Sequence, residues 1–220
     1  MLLIEELALV ALDPESGRLT IGTRSAVNAC LAGLLVADLV VAGCATTADK
    51  KVVLTESAPG SGPLAAAARV VAGQGPRIKA VLSAMDGGLE KALGTGTWGT
   101  AVAGLVAAGI LGPAEGRLRP RHAVLDPAVR EGVLARLQAA ARGEGGDDLR
   151  TAALLSMTGP AHLLEAIVPR RGDRREGRRR IDHALDGTTL APVGKAVRAV
   201  IRDSESVAAG AATGAVVAGS

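Results

Sequence analysis

Three sets of residues have the types and spacing to do chemistry. Gly94-x-Gly96-x-x-Gly99 satisfies the dinucleotide fingerprint as a string. That fingerprint works where a buried strand delivers the glycines to a helix N-terminus, whose free N–H groups cradle a pyrophosphate. The residues before it, Leu89-Glu90-Lys91-Ala92-Leu93, are too charged and too poor in β-branched side chains for such a strand. With 29 glycines in the chain a chance match is unsurprising, and the segment reads as a flexible linker. His122, His162 and His183 share no metal-ligand spacing, and neither cysteine lies near them in sequence. No Walker loop, nucleophile elbow or paired-carboxylate arrangement stands out. The sequence therefore predicts a protein that is not an enzyme and calls for no metal or cofactor.

The third set is cationic. Arg170, Arg171, Arg174, Arg175, Arg178, Arg179 and Arg180 crowd one segment, and at helical spacing Arg171, Arg174, Arg175 and Arg178 share a face. Such a face can meet phosphates on a membrane or on DNA; equally, it can be a solvated surface paired with Asp173, Glu176 and Asp182. Arg117, Arg119 and Arg121 alternate along a predicted returning strand, giving that hairpin one positive side. This would protect an edge against sheet pairing, or dock an acidic lipid or a partner subunit.

The elements that must position these groups follow from the composition. The chain has 220 residues, no Phe, no Tyr and one Trp, Trp98, while Ala (43) and Gly (29) supply about a third of it. A hydrophobic fraction of 48% excludes a disordered polar chain. Leu, Val, Ile and Ala must build the core, and side chains this small favour close helix packing. So few aromatic rings also exclude base stacking as a way of holding single-stranded nucleic acid. Net charge is +3, and the excess lies in residues 167–220, with 10 basic against 6 acidic groups.

Residues 2–12 put Leu3, Ile4, Leu7, Val10 and Ala11 on one helical face. A helix over 26–43 is apolar nearly all round, interrupted by Asn28 and Asp38, so it should be central and buried. Gly43 ends it, and a hairpin follows around Ala48-Asp49-Lys50. Helices are predicted over 64–73, 77–86 and 100–111, with a Gly-rich 87–99 between the last two. A second hairpin turns at Glu115-Gly116. Asp126-Pro127 opens a helix to Arg142, and Asp147 or Asp148 caps another over 149–157. Helical segments continue over 161–168 and from the Arg-rich stretch to about 185, and Pro192 precedes the last helix. The fold class is mainly α: a single domain of buried helices ringed by amphipathic ones, with two small β-hairpins. It spans residues 1–207, and 208–220 forms a low-complexity Ala/Gly tail.

Cys30 and Cys44 are too few for a secreted disulfide framework. On one helix they would stand roughly 21 Å apart, too far to bridge, so both are expected as buried free thiols. Met1 runs directly into Leu2-Leu3-Ile4-Glu5-Glu6 with no basic leader region. Neither apolar run, 26–43 or 101–111, reaches the uninterrupted ~20 residues of a spanning helix. A cytoplasmic protein is expected, one able to touch a membrane surface.

The order of elements carries a resemblance. LLIEELALVALDPESGRL leads into LAGLLVADLVVAG, then SAPGSGPL, VAGLVAAGIL, VLDPAVREGVLARLQ and DDLRTAALLSM. This series resembles the Golgi phosphoprotein 3 family in its short bacterial form, over about residues 2–203. The resemblance implies a mostly α fold with a protruding hairpin used in oligomerisation and membrane contact. It also implies a peripheral membrane adaptor, since eukaryotic members recognise phosphatidylinositol 4-phosphate and help retain glycosyltransferases. Their lipid site uses a Trp before the long helix, an Arg within it and two basic residues flanking a later buried helix. Those positions fall near Thr23, at Ala32, and near Thr95 and Trp98, so none of the four identities is present.

The expected lipid-binding residues are therefore Arg24, beside the first of those positions, Trp98 as an interfacial anchor, and Arg117, Arg119 and Arg121 on the hairpin. The expected partners are an anionic phospholipid headgroup and a second copy of the chain joined through the 112–122 hairpin. The protein would sit peripherally on the inner face of the membrane. No nucleic-acid partner is expected. The alternatives are a nucleic-acid-binding module using helix 174–185, or a purely structural oligomerising module.

Overall fold

A helix of 18 residues, Arg24–Val41, runs through the middle of the molecule, and 13 of its residues are buried. The computed structural model describes residues 1–19, 24–57, 59–116, 121–145 and 148–217, with side chains described as far as residue 206. Among the described residues the helices in chain order are α1 (Leu3–Ala11), α2 (Arg24–Val41), α3 (Gly62–Gln74), α4 (Ile78–Leu93), α5 (Thr97–Ala107), α6 (Pro127–Arg142), α7 (Leu149–Thr158), α8 (Leu164–Ile167), α9 (Arg174–His183) and α10 (Ala191–Val217). Strands β1 (Ala45–Ala48) and β2 (Lys51–Leu54) lie between α2 and α3 and pair antiparallel, Ala45 opposite Leu54. The fold is mainly α.

Helices α1, α3, α4, α5, α7 and α10 all pack on α2. Helices α6, α8 and α9 form an outer group against α7 and one another. By length and composition α2 could cross a membrane, but most of it is buried inside the fold, as in a core helix. Small side chains let the ring close tightly. Gly33, midway along α2, faces α10 so closely that a Cβ there would run into the Val197 side chain. Gly88 on α4 is pressed in the same way against Val70 on α3.

That second contact explains a difference from the sequence expectation. The Gly87-Gly88 pair was expected in a linker, yet α4 continues through it to Leu93 because α3 needs a surface without a side chain. The predicted Gly94–Gly99 linker is shorter than expected: Gly94 ends α4 in the left-handed region, at φ 75°, Gly96 precedes α5, and Gly99 lies inside the first turn of α5. The helix expected over 161–168 is only the single turn α8. Among the described residues the second hairpin is a chain reversal joined by isolated bridges, Leu111 to Val124 and Glu115 to Arg121, rather than by a ladder. Its outgoing arm has one residue more than its return arm between those bridges, and it contains Pro113, which has no N–H to donate. Helix α10 carries helical backbone to Val217, into the stretch assigned to the tail.

Other terminators act as the sequence suggests. Asp126 accepts from the N–H of Ala128 at 3.1 Å, with Pro127 in the first turn, and Asp148 accepts from the N–H of Thr151 at 2.8 Å. Both cysteines are free and buried, and Cys44 lies beyond the end of α2. Burial pushes the Cys30 thiol far up, which keeps it unreactive.

Two carboxylates lie inside this aliphatic core, Glu6 on α1 and Asp38 on α2, only 3% and 4% exposed. Arg150 on α7 reaches both, with Nη2 at 2.8 Å from Glu6 Oε1 and Nη1 at 3.4 Å from Asp38 Oδ1. Arg136 on α6 pairs with the other oxygen of Glu6. Asp38 Oδ2 accepts from the backbone N–H of Leu3 at 2.9 Å, which caps the start of α1. Glu6 thus has two guanidiniums, whereas Asp38 has one long contact and one backbone donor.

Burial accordingly dominates at Asp38 and lifts its carboxyl from an ordinary 3.8 to about 7, against the pull of Arg150 and the Leu3 N–H. The folded state then binds this proton more tightly than the unfolded chain, so the Asp38 contribution to stability is lost as pH rises from about 4 to about 7. Asp38→Asn keeps an acceptor for the Leu3 N–H and cannot ionise. Denaturant midpoints measured across this range should fall with pH in the parent and stay flatter in the variant.

Candidate functional site

The N-terminal end of α2, the turn from α4 to α5 and the base of the 111–124 reversal meet around a cavity of about 840 Å³. Arg24 begins α2, and Asn28 follows one turn later on the same face. Asp86 and Glu90 stand one turn apart on α4, and both line the cavity. Trp98, in the first turn of α5, forms the apolar wall with Val102 and Val106 below it. Trp98 is half-buried and also packs on the core.

Asp86 shapes this site. Its Oδ1 accepts from the Thr97 N–H at 2.7 Å and from the Thr97 hydroxyl at 2.8 Å. The residue preceding α5, Gly96, has no side chain to cap the helix, so a carboxylate from the neighbouring helix caps it and complements its dipole. A Cβ at Gly96 would collide with that carboxylate, which is why glycine stands there. The second oxygen of Asp86 has no hydrogen-bond partner among the described residues.

The reversal is held in place from the other side. Gly17 has φ +63° and approaches the backbone of His122 so closely that a Cβ would strike the His122 carbonyl. The His122 N–H donates to the Gly17 carbonyl at 2.9 Å. His122 Nδ1 lies 3.0 Å from the Gly112 carbonyl oxygen, an acceptor only, so the Nδ1 proton sits between them. The ring therefore lines the cavity in a fixed orientation.

The structure brings together Arg24, Trp98 and Thr95, three of the positions the sequence singled out. Ala32 is buried in the core and does not line the cavity. Thr23, Arg117 and Arg119 lie outside the described residues. Arg121 is exposed and pairs across the reversal with Glu115 at 3.0 Å, a surface contact worth little. The sequence reading missed Asn28, Asp86, Glu90 and His122 as cavity residues. Two signals pointed to them: Asn28 interrupts an apolar run, and Asp86 and Glu90 have the i, i+4 spacing.

The charge balance of the cavity differs from that of a polyanion site. Among the described residues Arg24 is its one guanidinium, set against the carboxylates of Asp86 and Glu90. The arginines of α9 are largely engaged elsewhere. Arg174 pairs with Glu165 at 2.8 Å, Arg179 holds Glu176 with two bonds of 3.0 Å, and Arg180 reaches the same carboxylate at 3.1 Å. Among the described residues no group of three or more His, Cys, Asp or Glu side chains could hold a metal ion.

A ring of helices around one buried apolar helix, with a small hairpin beside it and a cavity at that helix's N-terminal end, defines a mainly helical domain. The family model described as Golgi phosphoprotein 3 (GPP34) matches residues 3–204, nearly the whole chain, and this chain belongs to that family. The family is not one of enzymes. No match is found among the curated proteins.

Asp86→Ala would leave the Thr97 N–H and hydroxyl without their acceptor in a buried place. A loss of about 1.5–3 kcal/mol is expected, as for hydrogen bonds to a charged group. Thermal or denaturant melts should show it, and Asp86→Asn should lose less.

Proposed function

We propose that this protein is a non-catalytic, peripheral membrane-associating adaptor of the Golgi phosphoprotein 3 type, which docks by seating a phospholipid headgroup in the Arg24–Trp98 cavity. The observation that carries this reading is convergence. Arg24 and Trp98, far apart in sequence, line one cavity together with the base of the reversal that bears Arg121. Family membership supports the peripheral role. Arg24 supplies a forked donor for a phosphate, and Trp98 an amphipathic ring suited to the interface. Arg121, with Arg117 and Arg119 on the same segment, faces the membrane surface in this reading, on the inner, cytoplasmic side.

Phosphatidylinositol 4-phosphate, the ligand of eukaryotic members, is a poor fit, because its charge would meet two carboxylates and, among the described residues, a single guanidinium. The nucleic-acid alternative is weakened by the pairing of Arg179 and Arg180 with Glu176 on the same helix and of Arg174 with Glu165 on α8. A second reading, self-association through the 112–122 segment, is favoured by Leu125, which is 59% exposed at the base of the reversal. The mass in solution tests it: Leu125→Ser should shift an oligomer toward monomer.

Co-sedimentation with phospholipid vesicles tests the docking reading. Arg24→Glu or Trp98→Ala should reduce the pelleted fraction several-fold without changing the melting temperature by more than the loss of Trp98 packing. Failure of the parent protein to pellet with vesicles of any composition would sink it.

A further inference from the structure

We infer that the cavity at the N-terminal end of α2 takes a zwitterionic aminophosphate headgroup, a primary ammonium joined to a phosphodiester as in phosphatidylethanolamine. The inference rests on the docking reading above and gives its site a ligand class. Arg24 is exposed at the rim and has no ion-pair partner among the described residues, so its guanidinium is available to a phosphodiester.

The remaining polar lining is mostly acceptor. Among the described residues the second oxygen of Asp86 has no hydrogen-bond partner, and Glu90, exposed one turn further along α4, has no cationic partner. Asn28 adds an unusual feature: its Oδ1 is buried with no hydrogen-bond partner among the described residues, while the residue itself lines the cavity. To meet a ligand, that carbonyl would turn toward the cavity by rotation about its soft terminal torsion. Natural proteins rarely leave a buried acceptor unsatisfied.

One ligand chemistry satisfies this set. A primary ammonium carries three N–H donors and one positive charge, which match the Asn28 carbonyl and the carboxylates of Asp86 and Glu90, while its phosphodiester meets Arg24. An inositol phosphate brings several negative charges and no cation, so it meets repulsion where the ammonium meets attraction. A quaternary ammonium has charge and could lie on the face of Trp98, but it has no N–H for Asn28. The cavity volume, about 840 Å³, is in the range of small-ligand sites.

Trp98 is the chain's one tryptophan, so its emission reports on this cavity without a label. The experiment titrates that emission with soluble glycerophosphoethanolamine, glycerophosphocholine and inositol 1,4-bisphosphate. In parallel, pelleting is measured with phosphatidylcholine vesicles alone and with added phosphatidylethanolamine or phosphatidylglycerol. We expect a saturable response to the ethanolamine compound, about tenfold weaker with choline. Phosphatidylethanolamine should raise pelleting more than phosphatidylglycerol does. Glu90→Lys, an exposed substitution near the end of a helix, should weaken the ethanolamine response about tenfold with the melt unchanged.

Equal responses to ethanolamine and choline, a preference for the inositol phosphate, or no effect of Glu90→Lys would overturn the inference. Vesicle binding that ignores the amine also overturns it and leaves the docking reading standing. A response to the soluble ethanolamine compound with no vesicle binding does the reverse, assigning the site to a free aminophosphate and ending the docking reading.

Discussion

A helix with no solvent face must be enclosed, and α2 is such a helix. Its apolar side chains point in every direction, so six other helices are needed to cover it, and their places in the molecule are set by that need. Because the core contains no Phe or Tyr, coverage comes from many small contacts rather than a few large ones. Backbones must then approach closely, as Gly33 against Val197 and Gly88 against Val70 illustrate. The two polar interruptions of α2 sit near its ends: Asn28 beside the cavity, and Asp38 in the charge cluster that fastens α1 and α7. The same helix therefore organises both the scaffold and the site.

Asp38 and Asp86 contrast in a useful way. Both are carboxylates that receive a backbone N–H at the start of a helix, α1 for Asp38 and α5 for Asp86. Asp38 is closed off from water, so the burial of its charge dominates its behaviour. Asp86 stands at a cavity wall, and one of its oxygens has no hydrogen-bond partner among the described residues. A capping carboxylate held by two donors has little rotamer freedom left to lose. A ligand meeting its second oxygen finds an acceptor already in position, which favours selective recognition over adaptable contact.

Local signals made much of the fold legible in the sequence. The all-round apolar pattern marked α2 as central, Asp126-Pro127 marked the start of α6, and Asp148 was one of two residues offered as the cap of α7. Each of these is decided within a few residues. What was not legible depends on partners far along the chain. Gly88 looks like a helix breaker until Val70 is seen against it, and Glu6 looks like a surface charge until Arg136 and Arg150 reach it. The cavity was legible only in part: Arg24 and Trp98 were expected there on grounds of resemblance, while Asp86, Glu90, Asn28 and His122 needed three dimensions.

The separation of Glu6 from its partners also bears on how the chain is made. The arginines that neutralise Glu6 lie 130 and 144 residues downstream. During synthesis at 5–20 residues per second, that gap leaves α1 without its ionic partners for on the order of ten seconds. For that time its apolar surface cannot settle into the finished packing. The nascent chain thus exposes, for that time, an apolar face of α1 that the folded protein conceals.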